Sequence, residues 1–204
     1  STGRTRALTA AWDRSVDSLA WDKTGKALLA TAPDTLDHPL FRIDPASGRV
    51  ERLSLLGKTP TADAHVANVT PLAKGGLLFT RDTANTPAEV WLASAGKPAQ
   101  RLTHANDAAL ATQSPIATTR FHFAGAGGET VWGLVHKPAP LTGTVAGKLP
   151  VLLFVHGGPQ GSYNDGWSWR WNPRVFASRG YAVVSIDFHG STGYGQAFTD
   201  AINR

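Results

Sequence analysis

The chain has 204 residues, 42% of them hydrophobic, which is enough apolar material for one large or two small cored domains. Twenty Lys and Arg against fifteen Asp and Glu give a net charge of +5, but the basic residues are scattered and form no phosphate-binding cluster, so nucleic acid is not an expected partner. Zero Cys excludes disulfides and thiolate metal sites, no apolar run approaches the ~18 residues of a membrane span, and no signal peptide opens the chain.

The first hundred residues read as repeated β-hairpins. Ser18–Trp21 leads through the turn sequence Asp22–Lys26 to Ala27–Thr31, and Leu40–Ile43 leads through Asp44–Gly48 to Arg49–Leu53. The order then recurs, with Asn68–Leu72, the turn Lys74–Gly76 and Leu77–Thr80, followed by Val90–Leu92, the turn Ser94–Lys97 and Gln100–Thr103. Matching Arg52-Leu53-Ser54 to Arg101-Leu102-Thr103 gives a repeat of 49 residues with four short strands each, the pattern of β-propeller blades. About two blades fit, too few to close a ring; the competing architecture is two unrelated hairpin pairs in a sandwich. Asp13, Asp17 and Asp22 precede or sit in turns, where carboxylates bond local backbone.

Residues 104–117 are weakly periodic and read as a connector, with the domain boundary placed between 108 and 109. A hairpin over Thr119–Phe123 and Thr130–Val135 follows, with Phe121 and Phe123 sharing one face and Trp132 and Leu134 sharing one face. A Gly/Pro/Thr-rich segment from Lys137 to Lys148 delivers the chain to Val151-Leu-Leu-Phe-Val155, an apolar run that stops at His156-Gly157-Gly158-Pro159. That is how a buried parallel strand looks when it ends in a loop whose backbone approaches something closely. Asn172 as N-cap, Pro173 in the first turn and Gly180 at C′ then bound a helix. Tyr181–Asp187 forms a second apolar strand, ending in the Gly-rich stretch His189–Gly195. Strand, helix, strand makes a parallel βαβ unit, with both Gly-rich loops at the edge where open α/β sheets bind ligands.

A Gly-rich loop after such a strand supplies a backbone N–H to the oxyanion of acyl-transfer reactions. A Cβ at Gly157 or Gly158 would obstruct that approach; the plainer reading is a tight turn needing positive φ. His156 could hydrogen-bond near an oxyanion, although fixing the strand end is the commoner task. Trp169, with Trp167 and Trp171, could wall a substrate pocket, but packing between helix and sheet is the more frequent use of such indoles. Tyr194 either projects into a pocket or packs within its turn. Ser191 is glycine-flanked, yet no serine has glycines at both −2 and +2, so the Gly-x-Ser-x-Gly nucleophile motif is absent. No metal-ligand spacing occurs, and no cofactor is expected.

Taken together, His156-Gly157-Gly158-Pro159, Gly180-Tyr181-Ala182-Val183-Val184 and Gly190-Ser191-Thr192-Gly193-Tyr194-Gly195-Gln196 resemble the prolyl oligopeptidase family of serine peptidases, in the branch of dipeptidyl peptidase 5 and the acylaminoacyl peptidases. The likeness covers residues 118–204 well; residues 1–103 match only as generic blades. It implies propeller blades over 1–108 followed by the N-terminal part of an α/β-hydrolase domain over 109–204. It also implies removal of N-terminal dipeptides, with acylaminoacyl or oligopeptide cleavage as the alternative and a non-catalytic binding module as the contrasting class. The implied Ser-Asp-His triad lies downstream of Arg204, so the segment alone is expected to be inactive, its main partners being a peptide substrate and its own remaining hydrolase part. A homodimer is a further allowed assembly. Gly158 carries over as an oxyanion donor; His156, Gly157, Trp169 and Tyr194 carry over as substrate-side candidates. His156 stands where relatives place an oxyanion-binding tyrosine, and His189 stands where many acylaminoacyl peptidases have arginine. With no Met at position 1 or anywhere else, the chain is expected to be a processed, excised or incomplete piece. A periplasmic or secreted setting is implied by the likeness, with the cytoplasm as the alternative.

Overall fold

The computed structural model describes residues 3, 5–56, 63–95, 97–139, 147–158 and 160–203. Pro159, Gly96 of the fourth turn, residues 140–146 of the segment before the apolar strand and Arg204 lie outside the described residues. Twelve strands form three four-stranded sheets among the described residues.

The first sheet is an antiparallel meander of β1 (Ser18–Trp21), β2 (Leu28–Thr31), β3 (Leu40–Ile43) and β4 (Val50–Leu53), in that spatial order. Its turns are made by side chains acting on nearby backbone. The Asp22 carboxylate accepts from Thr24 Oγ1 at 3.0 Å and from the Lys26 N–H at 3.0 Å, and Asp44 accepts from the Ala46 N–H at 2.8 Å. The second sheet repeats the meander with β5 (His65–Pro71), β6 (Leu77–Thr83), β7 (Thr86–Ser94) and β8 (Lys97–Arg101). Four strands per repeat are thus present in both halves, although β6 and β7 run further than expected. They meet in a turn over Ala84-Asn85 that carries neither Gly nor Pro and is closed by the Thr83 hydroxyl accepting from the Asn85 N–H at 3.0 Å. The two sheets share a core of Leu29, Leu40, Val66 and Phe79, and a backbone bridge between His38 and His65 joins them.

The stretch read as a connector contains a short helix, α1 (Asp107–Ala111), and the boundary expected between 108 and 109 falls inside it. The third sheet has the order β11-β12-β10-β9. Strands β9 (Ile116–Ala124) and β10 (Thr130–Pro138) form a hairpin, on which Phe121 and Phe123 lie side by side with ring centres 6.2 Å apart. β12 (Ala182–Asp187) runs antiparallel to β10, and β11 (Val151–Phe154) pairs with β12 in parallel, Phe154 opposite Ser185. Between β11 and β12 in sequence, α2 (Pro173–Ala177) starts where the Asn172 side chain accepts the Arg174 N–H at 2.9 Å. Gly180 is in the left-handed region as expected, but two positions past the cap residue Ser178 rather than one, because the last turn closes through Ala177. Ile116, Ala177 and Val183 bury this helix against the sheet, with Phe154 and Phe176 beside them. A third helix, α3 (Gln196–Asp200), follows the second Gly-rich loop. Asp13 does more than brace a local turn: its carboxylate accepts the Gln196 N–H at 2.9 Å, at the start of this helix. Asp17 likewise reaches His38 at 2.6 Å. Among the described residues no helix is long and apolar enough to cross a membrane.

Candidate active site

Parallel pairing of β11 and β12 brings their carboxyl ends side by side, so the loops after Phe154 and Asp187 share one edge of the sheet. His156 begins the first loop. Its ring stacks on Phe188 at 4.5 Å and meets Tyr163 edge-on at 5.3 Å. Its side chain is only 9% exposed, its Nε2 is 2.9 Å from Ser191 Oγ and its Nδ1 is 3.2 Å from the Gly157 carbonyl. The residue therefore ties one Gly-rich loop to the other.

Ser191, His156 and Asp187 are the three residue types of a hydrolytic triad, yet they are wired differently. In a triad the serine and the carboxylate sit on opposite ring nitrogens. Here Ser191 Oγ (2.9 Å) and Asp187 Oδ1 (3.7 Å) both approach Nε2, and Ser191 is fully buried. The cluster is a brace, which agrees with reading Ser191 as no nucleophile.

Asp187, which the sequence reading treats only as a strand end, is the centre of that brace. It is fully buried and accepts three hydrogen bonds: Ser162 Oγ at 2.5 Å, the Tyr163 N–H at 2.7 Å and Tyr194 Oη at 2.9 Å. Burial pushes its carboxyl above the ordinary value in spite of those donors, and burial together with the Asp187 charge pushes the Tyr163 and Tyr194 phenols up as well. Tyr194 stays protonated, donates to Asp187 and packs on Phe198 at 4.9 Å. Of its two sequence readings, packing within the turn is the one observed. A carboxylate closing an apolar strand is the signal that could have singled out Asp187.

The two glycines differ. Gly158 has φ +132°, and a Cβ there would lie 3.0 Å from the Gln160 nitrogen, so this position is strained for any other residue. Its N–H has no acceptor among the described residues. Gly157 lies outside the left-handed region, and a Cβ there would meet nothing within 4 Å. Nothing within the described chain requires glycine at 157.

A cavity of about 530 Å³ opens beside this loop, lined among others by His136, Phe154, His156, Gly157, Tyr163 and Trp171. His136, also missed from sequence, is 1% exposed and shares a hydrogen bond with Thr118 Oγ1 at 2.9 Å. Burial lowers its pKa to about 4, so it is a neutral polar group in the cavity wall at pH 7. Trp169 is elsewhere. It stands 76% exposed, edge-on to Trp167 at 5.4 Å, beside a separate groove of about 400 Å³ flanking α2. Neither Trp169 nor Trp171, which is 58% exposed, packs between helix and sheet among the described residues. The packing between the five-residue helix and the sheet is made by Ala177 and Phe176 against Ile116, Phe154 and Val183 instead. Among the described residues no group of three or more His, Cys, Asp or Glu is placed to hold a metal ion.

Residues 167–204 match the family model described as the prolyl oligopeptidase family. Dipeptidyl-peptidase 5 of Aspergillus fumigatus is 35% identical over 196 residues, covering 95% of this chain and 26% of that protein. The probable dipeptidyl-peptidase 5 of Aspergillus clavatus is 36% identical over 198 residues, with the same coverage of 95% and 26%. The chain thus spans about a quarter of the length of the curated relatives it matches. Among solved structures, the acylaminoacyl peptidase of Pyrococcus horikoshii superposes with a TM-score of 0.77 at 24% identity, covering 98% of this chain and 29% of that one. An acylaminoacyl peptidase in complex with Z-Gly-Gly-Phe-chloromethyl ketone gives 0.79 at 23%, with coverage of 98% and 29%. At these identities the structural likeness is one of fold.

Proposed function

The chain belongs to the prolyl oligopeptidase family, and on that premise we propose that it forms part of a serine peptidase that releases dipeptides from the amino termini of oligopeptides. In this reading the two antiparallel meanders are propeller blades over 1–108, and the mixed sheet is the first part of an α/β-hydrolase domain over 109–204. The nucleophilic serine and its acid–base partners lie outside these residues, so the segment by itself hydrolyses nothing. The relatives named dipeptidyl-peptidase 5 favour dipeptide release over acylaminoacyl cleavage.

One observation carries the reading: the Gly158 N–H, at the end of a parallel strand and beside a cavity, is free of any internal acceptor among the described residues. As serine attacks a peptide carbonyl, the carbonyl oxygen gains negative charge, and a fixed amide aimed at it stabilises that charge more than it stabilises the substrate. His156, Ser191 and Asp187 hold the loop so that the amide need not reorganise during the step. Losing one such donor costs about 2.7–4 kcal/mol of transition-state stabilisation. The full-length protein is expected to release a chromogenic anilide from dipeptidyl substrates. Gly158→Ala keeps the amide but strains its φ of +132° and brings a Cβ to 3.0 Å from the Gln160 nitrogen. It is therefore expected to turn that N–H aside and lower kcat by about a hundredfold or more with a much smaller change in KM. Absence of any anilide release by the full-length protein would overturn the function, and an unchanged kcat in Gly158→Ala would overturn the role of this amide.

A further inference from the structure

The loop between the first Gly-rich turn and α2 is held by the other two sheets, and the contacts converge on Asp165. Its backbone N–H donates to the Leu36 carbonyl, in the connection between β2 and β3, at 2.7 Å. Its Oδ1 accepts the Ala84 N–H, in the turn between β6 and β7, at 2.8 Å. Its Oδ2 accepts from Arg120 Nη2, on β9, at 3.1 Å. Arg120 also binds Asp37, and Asp37 accepts from Arg52 at 3.1 Å, which carries the ion network back into the first sheet. A single residue of the loop thereby touches all three sheets.

Two neighbours repeat the pattern. Asp82 on β6 accepts the Trp167 N–H at 2.5 Å and pairs with His65 Nδ1 at 2.7 Å. Gly166 lies between them so closely that a Cβ would come to 2.7 Å from Asn164 Oδ1 and 3.3 Å from Asp82 Oδ2. The residues on either side of this clamped stretch, Tyr163, Asn164, Ser168 and Trp171, line the cavity beside Gly157. Tyr163 is pinned from its other flank by Asp187.

We propose that Asp165 is a positioning residue for the peptide site, tying the cavity wall to the two antiparallel sheets so that those sheets set the shape of the space a peptide enters. The kinetic part of this proposal rests on the peptidase reading; the anchoring part does not. A carboxylate suits the task because it accepts a backbone N–H and a guanidinium on separate oxygens, fixing two directions at once. Loosening the anchor leaves the loop held by the Asp165 N–H on Leu36, by Asp82 at Trp167 and by Asp187 at Tyr163. Local opening then exposes more of the stretch that follows, where Arg170 is already on the surface.

The test uses the full-length protein with Asp165→Asn, the harsher Asp165→Ala, Arg120→Gln and the Asp165→Asn/Arg120→Gln double variant. Brief trypsin treatment with mass analysis follows cleavage after Arg170, with cleavage after Lys26, in the exposed β1–β2 turn, as internal control. The single Asp165 variants are expected to speed cleavage after Arg170 about tenfold or more while leaving Lys26 unchanged. On a dipeptidyl anilide they are expected to lower kcat/KM by about tenfold to a hundredfold, as misplacement on the scale of 1 Å does. The double variant is expected to add less than twofold to either measure, because the two residues act as one unit. Equal acceleration at Arg170 and Lys26 would mean general loosening and would overturn the anchor, as would effects that multiply in the double variant. If the wild-type protein releases no anilide, the peptidase reading fails, and the Arg170-to-Lys26 cleavage ratio still decides the anchor.

Discussion

Replacing His136 by Gln removes a titrating group from the wall of the cavity while leaving a polar side chain to meet Thr118. His136 is 1% exposed, and burial drops its pKa from the ordinary 6.5 to about 4. In the unfolded chain it takes a proton as the pH falls below 6.5; in the folded protein it does not until about 4. Stability is therefore complete above pH 6.5 and is lost as the pH falls toward 4, because the unfolded state binds the extra proton. With those two values the loss relative to pH 8 is about 2 kcal/mol at pH 5 and about 3 kcal/mol at pH 4. Urea unfolding of the intact protein at pH 8 and pH 5, wild type against His136→Gln, isolates this contribution. The wild type is expected to lose about 2 kcal/mol more than the variant between the two conditions. Equal losses, or an imidazole NMR titration of His136 centred near 6.5 in the folded protein, would refute the argument.

Two further predictions concern the brace and the loop. Asp187→Ala leaves a hydroxyl, an amide and a phenol without their buried acceptor; at about 1–3 kcal/mol per orphaned donor the intact protein is expected to lose 3 kcal/mol or more by urea denaturation. Asp187→Asn, which keeps one acceptor oxygen, is expected to lose less. Gly157→Ala is expected to change stability by no more than about 0.5 kcal/mol, since its Cβ enters open space. Gly158→Ala is expected to cost about 1–3 kcal/mol, because its φ of +132° strains any other residue. Thermal unfolding of the pair side by side reads the contrast, and equal costs would contradict the geometry.

Much of the chain's local structure was legible in sequence because it is made locally. The Asp22 and Asp44 turns, the Asn172 cap and the alternation of β9 are each decided by residues a few positions apart. The parallel pairing of β11 and β12 was legible from two apolar runs flanking a capped helix, but β11 is not the buried strand that its composition suggests. It is the edge of its sheet among the described residues, with Val151, Leu153 and Val155 exposed. What sequence could not show is long-range wiring. Asp187 looks like an ordinary strand end until Ser162, Tyr163 and Tyr194 converge on it, and His136 sits in an alternating strand whose neighbours give no hint of a cavity. The Ala84-Asn85 turn has neither Gly nor Pro and is closed by a threonine hydroxyl, so the sequence signals a shorter β6 and β7 than the structure has. The glycine pair shows the same limit from the other side: identical residues at 157 and 158 suggested one shared constraint, and only backbone geometry separates them.

The wiring also fixes an order of assembly during synthesis. The Leu36 carbonyl, the Asp37 carboxylate and the Thr35 N–H belong to a sheet whose own hairpins close quickly, yet their partners are Asp165, Arg120 and Gly193, the first and last of them well over a hundred residues later. Asp13 waits longer still, for Gln196. On a ribosome the early sheet therefore emerges with its rim groups held by water, and their protein partners arrive one after another as the chain lengthens. Nearby hairpins close first, and the distant stitches, which carry the largest loop-closure entropy, close last. One of those late stitches, the Thr35 N–H on the Gly193 carbonyl, holds the second Gly-rich loop.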